Sequence, residues 1–308
     1  MTKAPTLRSN GFYVILFFFA IFLLLPILIG CGGGGGGLFS GDKGVNAYGY
    51  SFSFLNSSST PSLTNPDIKA IALPFSNGGT GYAGSANGLF SFNLLANPVV
   101  FSKAIDPGLS NQVINCLLLE TSGDLLVGTD NGIFRRTVST GSFSAIVGLE
   151  GKRVFALAEP SSGTIWAGLE DLASQTNSIA RSKNGGAFSF WGAGNGLTAS
   201  SVVSIFADAD MVVACGIGDI GKAGAFRFSE SGNKFTQLDT PLGSGATLFT
   251  RSGNTWYVGG PSGGLYVSSD SGTKWDTLIK DITPYAFVQE FSAQSTKTWV
   301  SSDKGLYL

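Results

Sequence analysis

Short runs of apolar residues alternate with polar and small residues along most of the chain, and the same pattern returns about every 43 residues. Each copy holds an apolar segment, a turn, a second segment that usually ends near a small residue and glycine, and a third segment opened by glycine. Alternation at period two predicts β-strands, and glycine turns stand where a helical repeat would have helices. The six cores are residues 80–92, 123–136, 163–182, 210–229, 254–269 and 297–308.

A strand-built repeat of this length predicts an all-β fold, a single β-propeller with six four-stranded blades; seven blades is the alternative. The last repeat reaches Leu308 directly after its third strand. Ahead of the first repeat, residues 46–56 alternate aromatic with small residues. Because an unpaired apolar sheet edge is a liability, we expect this N-terminal strand to complete the last blade and close the ring.

The N-terminal segment differs from the repeats. Lys3 and Arg8 precede an apolar stretch, and the sequence Leu-Ile-Gly-Cys at residues 28–31 resembles the bacterial lipobox, which implies that Cys31 is lipidated. Six glycines follow, Gly32 to Gly37, as in a flexible tether. We therefore expect a lipoprotein signal peptide at 1–30, a lipidated tether at 31–45 and the propeller at 46–308. An uncleaved membrane anchor is the alternative.

Composition excludes several functions. Residues 31–308 keep 17 of the 19 basic and all 20 acidic residues, so their net charge is 17 − 20 = −3, which does not favour nucleic acid as a partner. The chain has no histidine, which excludes Ser-His-Asp catalysis and histidine-containing metal sites. No cofactor and no metal site are predicted. Cys116 and Cys215 fall in non-adjacent repeats and are expected to be small buried residues rather than a disulfide.

The second repeat resembles the propeller repeat of two-component regulators. In that family Gly-Leu precedes the first strand, glycine precedes the second, and a Gly-Thr-x-x-Gly turn leads to the third. The matching residues are Gly108, Leu109, Val113, Gly123, Gly128, Thr129, Gly132 and Ile133. The resemblance implies a sensory propeller, but the kinase that accompanies it in the family has no counterpart here, so phosphotransfer is not carried over.

A turn in the fifth repeat resembles the Asp-box of sialidase-like repeats, Ser-x-Asp-x-Gly-x-x-Trp. Ser268, Asp270, Gly272 and Trp275 match every defined position. The resemblance implies a structural turn in which the aspartate binds backbone amides and the aromatic ring packs inward, far from any catalytic centre. It therefore specifies the fold and hardly any activity.

Three arginines recur at the same point of the third strand, Arg135, Arg181 and Arg227. A sialidase needs three arginines that converge on a carboxylate, so this register suggests an anion site. The alternative is a solvated or blade-bridging row of charges, and the sialidase Arg-Ile-Pro signature is missing.

Loop length supplies a second candidate site. The connections between the second and third strands are short in four repeats and longer in two adjacent ones, the third and fourth. Glu170, Asp171, Asn177 and Asp219 lie in these insertions and could form a polar binding patch. Insertions on one face of a propeller are where recognition usually occurs, although ordinary drift in loop length is the alternative.

Together these patterns predict a membrane-tethered, non-enzymatic binding propeller that presents one loop face to an envelope protein or a glycan. A sialidase-like glycan hydrolase and a structural subunit of an envelope assembly are the alternatives. The lipobox places the chain in the bacterial cell envelope, and Gly32 after the cysteine favours the outer membrane.

Overall fold

A computed structural model describes most of the repeat region. Apart from two short 3-10 helices, Pro107–Leu109 and Ala193–Asn195, the regular elements of this part are all strands. The described residues are 43–45, 51–53, 68–72, 80–93, 101–103, 107–109, 112–171, 177–218, 222–243, 245–261, 263–291, 296–302 and 305–307.

The strands are numbered in chain order, and each group of consecutive strands forms one antiparallel sheet. A hairpin of β1 (Lys43–Val45) and β2 (Ser51–Ser53) comes first. Blade 1 holds β3 (Ile68–Ala72), β4 (Thr80–Ser85), β5 (Gly88–Asn93) and β6 (Phe101–Lys103). Blade 2 holds β7 (Ile114–Leu119), β8 (Leu125–Thr129), β9 (Gly132–Arg136) and β10 (Phe143–Ile146). Blade 3 holds β11 (Val154–Ser161), β12 (Thr164–Leu169), β13 (Ile179–Lys183) and β14 (Ser189–Trp191).

The remaining blades repeat this meander. Blade 4 holds β15 (Ser201–Ala207), β16 (Val212–Ile217), β17 (Gly224–Ser229) and β18 (Lys234–Gln237). Blade 5 holds β19 (Leu248–Ser252), β20 (Thr255–Gly260), β21 (Gly264–Ser268) and β22 (Asp276–Ile279). Blade 6 holds β23 (Pro284–Phe291), β24 (Thr296–Ser302) and β25 (Gly305–Tyr307).

Successive blades pack face to face, and their first strands touch in chain order from β3 through β7, β11, β15 and β19 to β23. Glycines in the second strands permit this approach: a Cβ at Gly128 would lie 2.9 Å from Val154 Cγ1, and one at Gly168 would lie 2.8 Å from Val202 Cγ1. The sheets therefore share apolar interfaces, as a four-stranded blade requires. The predicted all-β propeller is confirmed, and the number of blades in the closed ring stays a prediction.

The N-terminal strand differs from the prediction. Ser51–Ser53 pairs with Lys43–Val45 in a separate hairpin and not with β25, and blade 6 has three strands among the described residues. A hairpin between neighbouring segments closes a short loop, whereas pairing with the end of the chain closes a very long one, so the local pairing has the smaller entropic cost. The prediction that residues 46–56 complete the last blade is therefore wrong for Ser51–Ser53. The rest of that segment lies outside the described residues.

The two repeat cysteines are free thiols on different strands of their blades, Cys116 on β7 and Cys215 on β16. Burial raises the pKa of the Cys116 thiol to about 12 and also raises that of Cys215. Both thiols are therefore uncharged at neutral pH. Cys215 is buried as expected, whereas Cys116 is only half-buried. Residues 1–42, with Cys31 and the glycine tether, lie outside the described residues. In the part that is described, no helix has the length and apolar character needed to cross a membrane.

Candidate functional site

Each blade has two distinct ends, because its strands alternate in direction. The loop end of blades 3 and 4 carries the β12–β13 and β16–β17 connections, residues 170–178 and 218–223. The turn end, opposite to it, carries the β11–β12, β15–β16 and β17–β18 turns. Two sets of polar side chains gather in these blades, one at each end.

The connections at the loop end differ in length as predicted. Only Asp130 and Asn131 separate β8 from β9, whereas residues 170–178 separate β12 from β13. Residues 218–223 separate β16 from β17. Asp219 and residues 172–176 lie outside the described residues. The two longest of these connections therefore stand on neighbouring blades.

Both insertions are hydrogen-bonded to one short segment, residues 198–200, which leads into blade 4. Its backbone carbonyls accept bonds from the first insertion, and its side-chain hydroxyls donate to the second insertion and to the end of the strand before it. From the first insertion, the Asp171 amide donates to Ser200 O at 2.8 Å and Ser178 Oγ donates to Ala199 O at 2.6 Å. From the second, Thr198 Oγ1 donates to Lys222 O at 2.9 Å and Ser200 Oγ donates to Ile217 O at 3.3 Å. The bases of the two insertions are thus side by side in a fixed arrangement.

The predicted polar residues of the first insertion make local contacts. Glu170 Oε2 accepts a hydrogen bond from Arg153 Nη1 at 2.9 Å, and Asp171 Oδ2 accepts one from the Asn177 amide at 2.9 Å. Asp171 is buried. These three residues therefore lie together and shape the base of the insertion.

The three predicted arginines do occupy one register position. Arg135, Arg181 and Arg227 face Leu126, Trp166 and Val213 on the second strand of their blades. Their surroundings differ: Arg135 pairs with Glu120, Arg181 pairs with Glu230 of the next blade, and Arg227 is exposed. The cavity described below is lined by Arg181 but by neither of the other two.

Arg135 forms an ion pair within blade 2. Its Nη2 lies 2.8 Å from Glu120 Oε1, and the Glu120 side chain is buried. Burial raises the pKa of Glu120, and the charge and hydrogen bond of Arg135 offset only part of this effect. Glu120 Oε2 and Arg135 Nε are buried without a hydrogen-bond partner among the described residues. This arginine is consequently committed to its own blade.

Arg181 lies in an aromatic enclosure between blades 3 and 4. Its guanidinium carbon is 5.0 Å from the ring centroids of Trp166 and Trp191 and 5.3 Å from that of Phe228. Such cation–π contacts hold the planar group in place. Arg181 Nη1 also lies 2.6 Å from Glu230 Oε2, whose other oxygen lies 2.8 Å from Lys183 Nζ. The Lys183 hydrogen bond lowers the pKa of Glu230; partial burial opposes this, and Arg181 reinforces it.

A cavity of about 300 Å³ opens beside this enclosure at the turn end. A second group of charges stands on its wall, in the β15–β16 turn. Asp208 Oδ2 lies 2.7 Å from the Arg251 guanidinium, and Asp210 Oδ2 lies 3.4 Å from it. Burial opposes ionisation of Asp208, but hydrogen bonds from Arg251 and from the amides of Asp210 and Met211 lower its pKa overall.

The turn that resembles an Asp-box joins β21 to β22. Asp270 Oδ1 accepts hydrogen bonds from the amides of Thr273 and Lys274 at 3.1 and 2.8 Å, and these bonds, led by the one from Lys274, lower the pKa of Asp270. Trp275 Nε1 donates to Asp239 O at 2.8 Å. Gly272 has φ of +87°, which suits glycine. The turn belongs to blade 5 and contacts the β19–β20 turn, where the Ser271 amide donates to Asn254 O at 3.2 Å. Its assignment as an Asp-box stays a prediction.

Sequence reasoning missed the turn-end cavity, because its walls come from residues far apart in sequence. Glu230 lies 49 positions from Arg181, and no spacing in the sequence links Glu230 or Asp208 to that arginine. The one usable signal was the arginine register, which located Arg181 without its partner.

Comparison with protein-family models and with curated proteins gives no match. Among solved structures, the extracellular domain of a hybrid two-component system from B. thetaiotaomicron aligns with a TM-score of 0.60 at 17% identity, over 84% of this chain and 37% of that one. YCF48 bound to D1 peptide aligns with a TM-score of 0.56 at 17% identity, over 79% of each chain. Virginiamycin B lyase from Staphylococcus aureus aligns with a TM-score of 0.55 at 16% identity, over 76% of each chain.

These similarities show the fold alone, since the identities are low and the proteins include an enzyme and binding proteins. The chain spans little more than a third of the length of the two-component-system domain. Function must therefore be argued from the sites.

Proposed function

We propose that the chain is a lipid-anchored, non-enzymatic binding propeller of the bacterial cell envelope, which binds a protein or glycan partner through the loop end of blades 3 and 4. The observation that carries this proposal is the shared attachment of both insertions to residues 198–200. Two long connections fixed side by side form one composite surface. Ordinary drift in the length of a single loop would not require two neighbouring loops to be attached to the same segment.

The chemistry of the insertions suits recognition. Hydrogen bonds at their bases hold the backbone while the intervening residues are free to vary without cost to the sheet. A scaffold that fixes the ends of binding loops reduces the entropy lost when a partner orders them. The buried Ser178 and Asp171 supply this fixation in the first insertion.

The anchor is Cys31 at the end of the signal sequence, and the outer membrane is the proposed location. Acyl chains contribute about 0.8 kcal/mol per buried CH₂, so a doubly or triply acylated cysteine holds the protein permanently. Metabolic labelling with a palmitate analogue tests this part: we expect label on the full-length chain and none on Cys31→Ala. Labelling of the variant would contradict the assignment.

The partner is tested by a crosslinking pull-down of full-length protein from its native membrane. A parallel variant has residues 172–176 and 219–221 replaced by short glycine linkers, and a control variant carries a comparable change in the β9–β10 turn. We expect the partner to be lost only when the two insertions are shortened. Equal recovery from all three proteins would contradict a loop-end site.

We propose that the chain is not an enzyme because the three arginines do not converge. Arg135 and Arg181 form separate ion pairs, and Arg227 is exposed. A sialidase-like hydrolase requires them around one substrate carboxylate. Turnover on a panel of glycosides, abolished by Arg135→Gln or Arg227→Gln, would replace the binding proposal with the hydrolase.

A further inference from the structure

The turn-end cavity lies at the opposite end from the proposed binding surface. Two groups of charged side chains stand at its wall, one with a net positive charge and the other with a net negative charge. On one side Arg181 and Lys183 share the single carboxylate of Glu230, which leaves one positive charge in excess. On the other side Asp208 and Asp210 share the single guanidinium of Arg251, which leaves one negative charge in excess. All of these residues except Arg251 line the same cavity.

The positive side is prepared to receive a carboxylate. Arg181 is only 13% exposed and is fixed by three aromatic rings, so it loses little freedom when an anion binds. Glu230 belongs to the β17–β18 turn and is 63% exposed. This exposed carboxylate occupies the place that a ligand carboxylate would take and can be displaced from it.

The negative side is prepared to receive a cation. Asp208 is held by Arg251 and by two backbone amides, so it is fixed. Asp210 is 83% exposed, and its Oδ2 lies 3.4 Å from the Arg251 guanidinium, a long contact. Its carboxylate is therefore available to an ammonium group that enters the cavity.

The half-buried Val212 and Phe228 contribute apolar surface to the same cavity. The volume of about 300 Å³ is at the lower bound of ligand pockets, which suits a small molecule. We propose that this cavity binds a small zwitterion of the α-amino acid type, with its carboxylate at Arg181 and Lys183, its ammonium group at Asp208 and Asp210, and an apolar side chain on Val212 and Phe228. This site is independent of the loop-end surface.

The probe is L-leucine, titrated against the full-length protein in detergent and followed by saturation-transfer difference NMR. Two analogues of the same shape each lack one charge: 4-methylpentanoate lacks the ammonium group and isoamylamine lacks the carboxylate. We expect leucine to bind and each analogue to bind about tenfold more weakly, the loss of one charged contact. Equal binding of 4-methylpentanoate would overturn the zwitterion, and no leucine binding at about 10 mM would overturn the site.

Substitutions at two exposed residues test the two charged groups one at a time and leave the hydrophobic core unchanged. Glu230→Gln removes the competing carboxylate, so leucine and 4-methylpentanoate should both bind about tenfold more tightly. Asp210→Asn should weaken leucine and isoamylamine by a similar factor and leave 4-methylpentanoate unchanged. The matched controls are Glu150→Gln and Asp276→Asn, exposed residues of blades 2 and 5 that do not line the cavity. An unchanged leucine affinity in both test variants would overturn the proposal.

Discussion

The two ends of blades 3 and 4 are built by opposite means. At the loop end, backbone and serine hydrogen bonds fix the bases of two insertions and set no limit on the residues between them. At the turn end, short turns are held by a Trp166–Trp191–Phe228 aromatic cluster and by an ion pair that crosses the blades. One end can therefore accept change in loop sequence, whereas the other depends on the packing of particular side chains.

A similar contrast separates two arginines at the same register. Arg135 pairs within blade 2 with the buried Glu120, whereas Arg181 reaches across to blade 4 and faces a cavity. Equivalent position in a repeat thus does not give equivalent chemistry. The neighbours that each blade meets decide the role of the side chain.

Loss of the aromatic cluster gives the largest expected effect. Trp166 is buried and touches Trp191, Phe228 and Phe235, so Trp166→Ala should lower the free energy of unfolding by about 3–5 kcal/mol. Urea unfolding measures it. Val147→Ala is the control, because Val147 is 80% exposed and its loss should cost less than about 0.5 kcal/mol. A loss below about 1 kcal/mol for Trp166→Ala would show that the turn end does not depend on this packing.

Crowding at the blade interface gives the next effect. A Cβ at Gly168 would press on Val202 O and Val202 Cγ1 of the next blade, so Gly168→Ala should cost about 1–3 kcal/mol in the free energy of unfolding. Gly194→Ala has no atom within 4 Å of the added carbon and should be close to neutral. If the two variants unfolded at the same urea concentration, the close approach of blades 3 and 4 would be refuted.

A single bond at the loop end gives a smaller effect. Ser178→Ala removes the 2.6 Å hydrogen bond to Ala199 O and should cost about 1 kcal/mol. Hydrogen exchange of the Asp171 amide should become faster in this variant, because the base of the insertion loosens. Ser144→Ala, at an exposed position of β10, is the control. Unchanged exchange would mean that the serine does not fix the insertion.

The smallest effect concerns pH. The folded protein holds the pKa of Glu230 below its unfolded value, so its ion pairs stabilise fully above about pH 4.3 and are lost as pH falls through the lower folded pKa. Glu230→Gln should therefore reduce this acid-side loss of stability by no more than about 0.5 kcal/mol, since the side chain is exposed. Thermal unfolding from pH 7 to pH 3 checks it. A larger acid-side loss in the variant than in the parent would have the wrong sign.

The fold was predictable because its signals are local. Small residues and glycines such as Gly128 and Gly168 mark the second strands wherever blades approach each other, so one repeat unit reveals the architecture. The strand at residues 51–53 was misassigned because a nearby partner, Lys43–Val45, was available and carries no distinctive pattern. Loop length located the loop-end surface, but the turn-end cavity requires contacts between different blades that no spacing encodes.

Recognition at the loop end can be tested with a photocrosslinking amino acid placed in turn at four positions of the full-length protein in living cells. Asn177 and Lys222 stand at the two insertions, Asp210 at the turn end and Val147 on an exposed segment of blade 2. We expect one common partner to be crosslinked from positions 177 and 222 and none from 147 or 210. A partner captured only from 147 or 210, or no adduct from the two insertions, would contradict it.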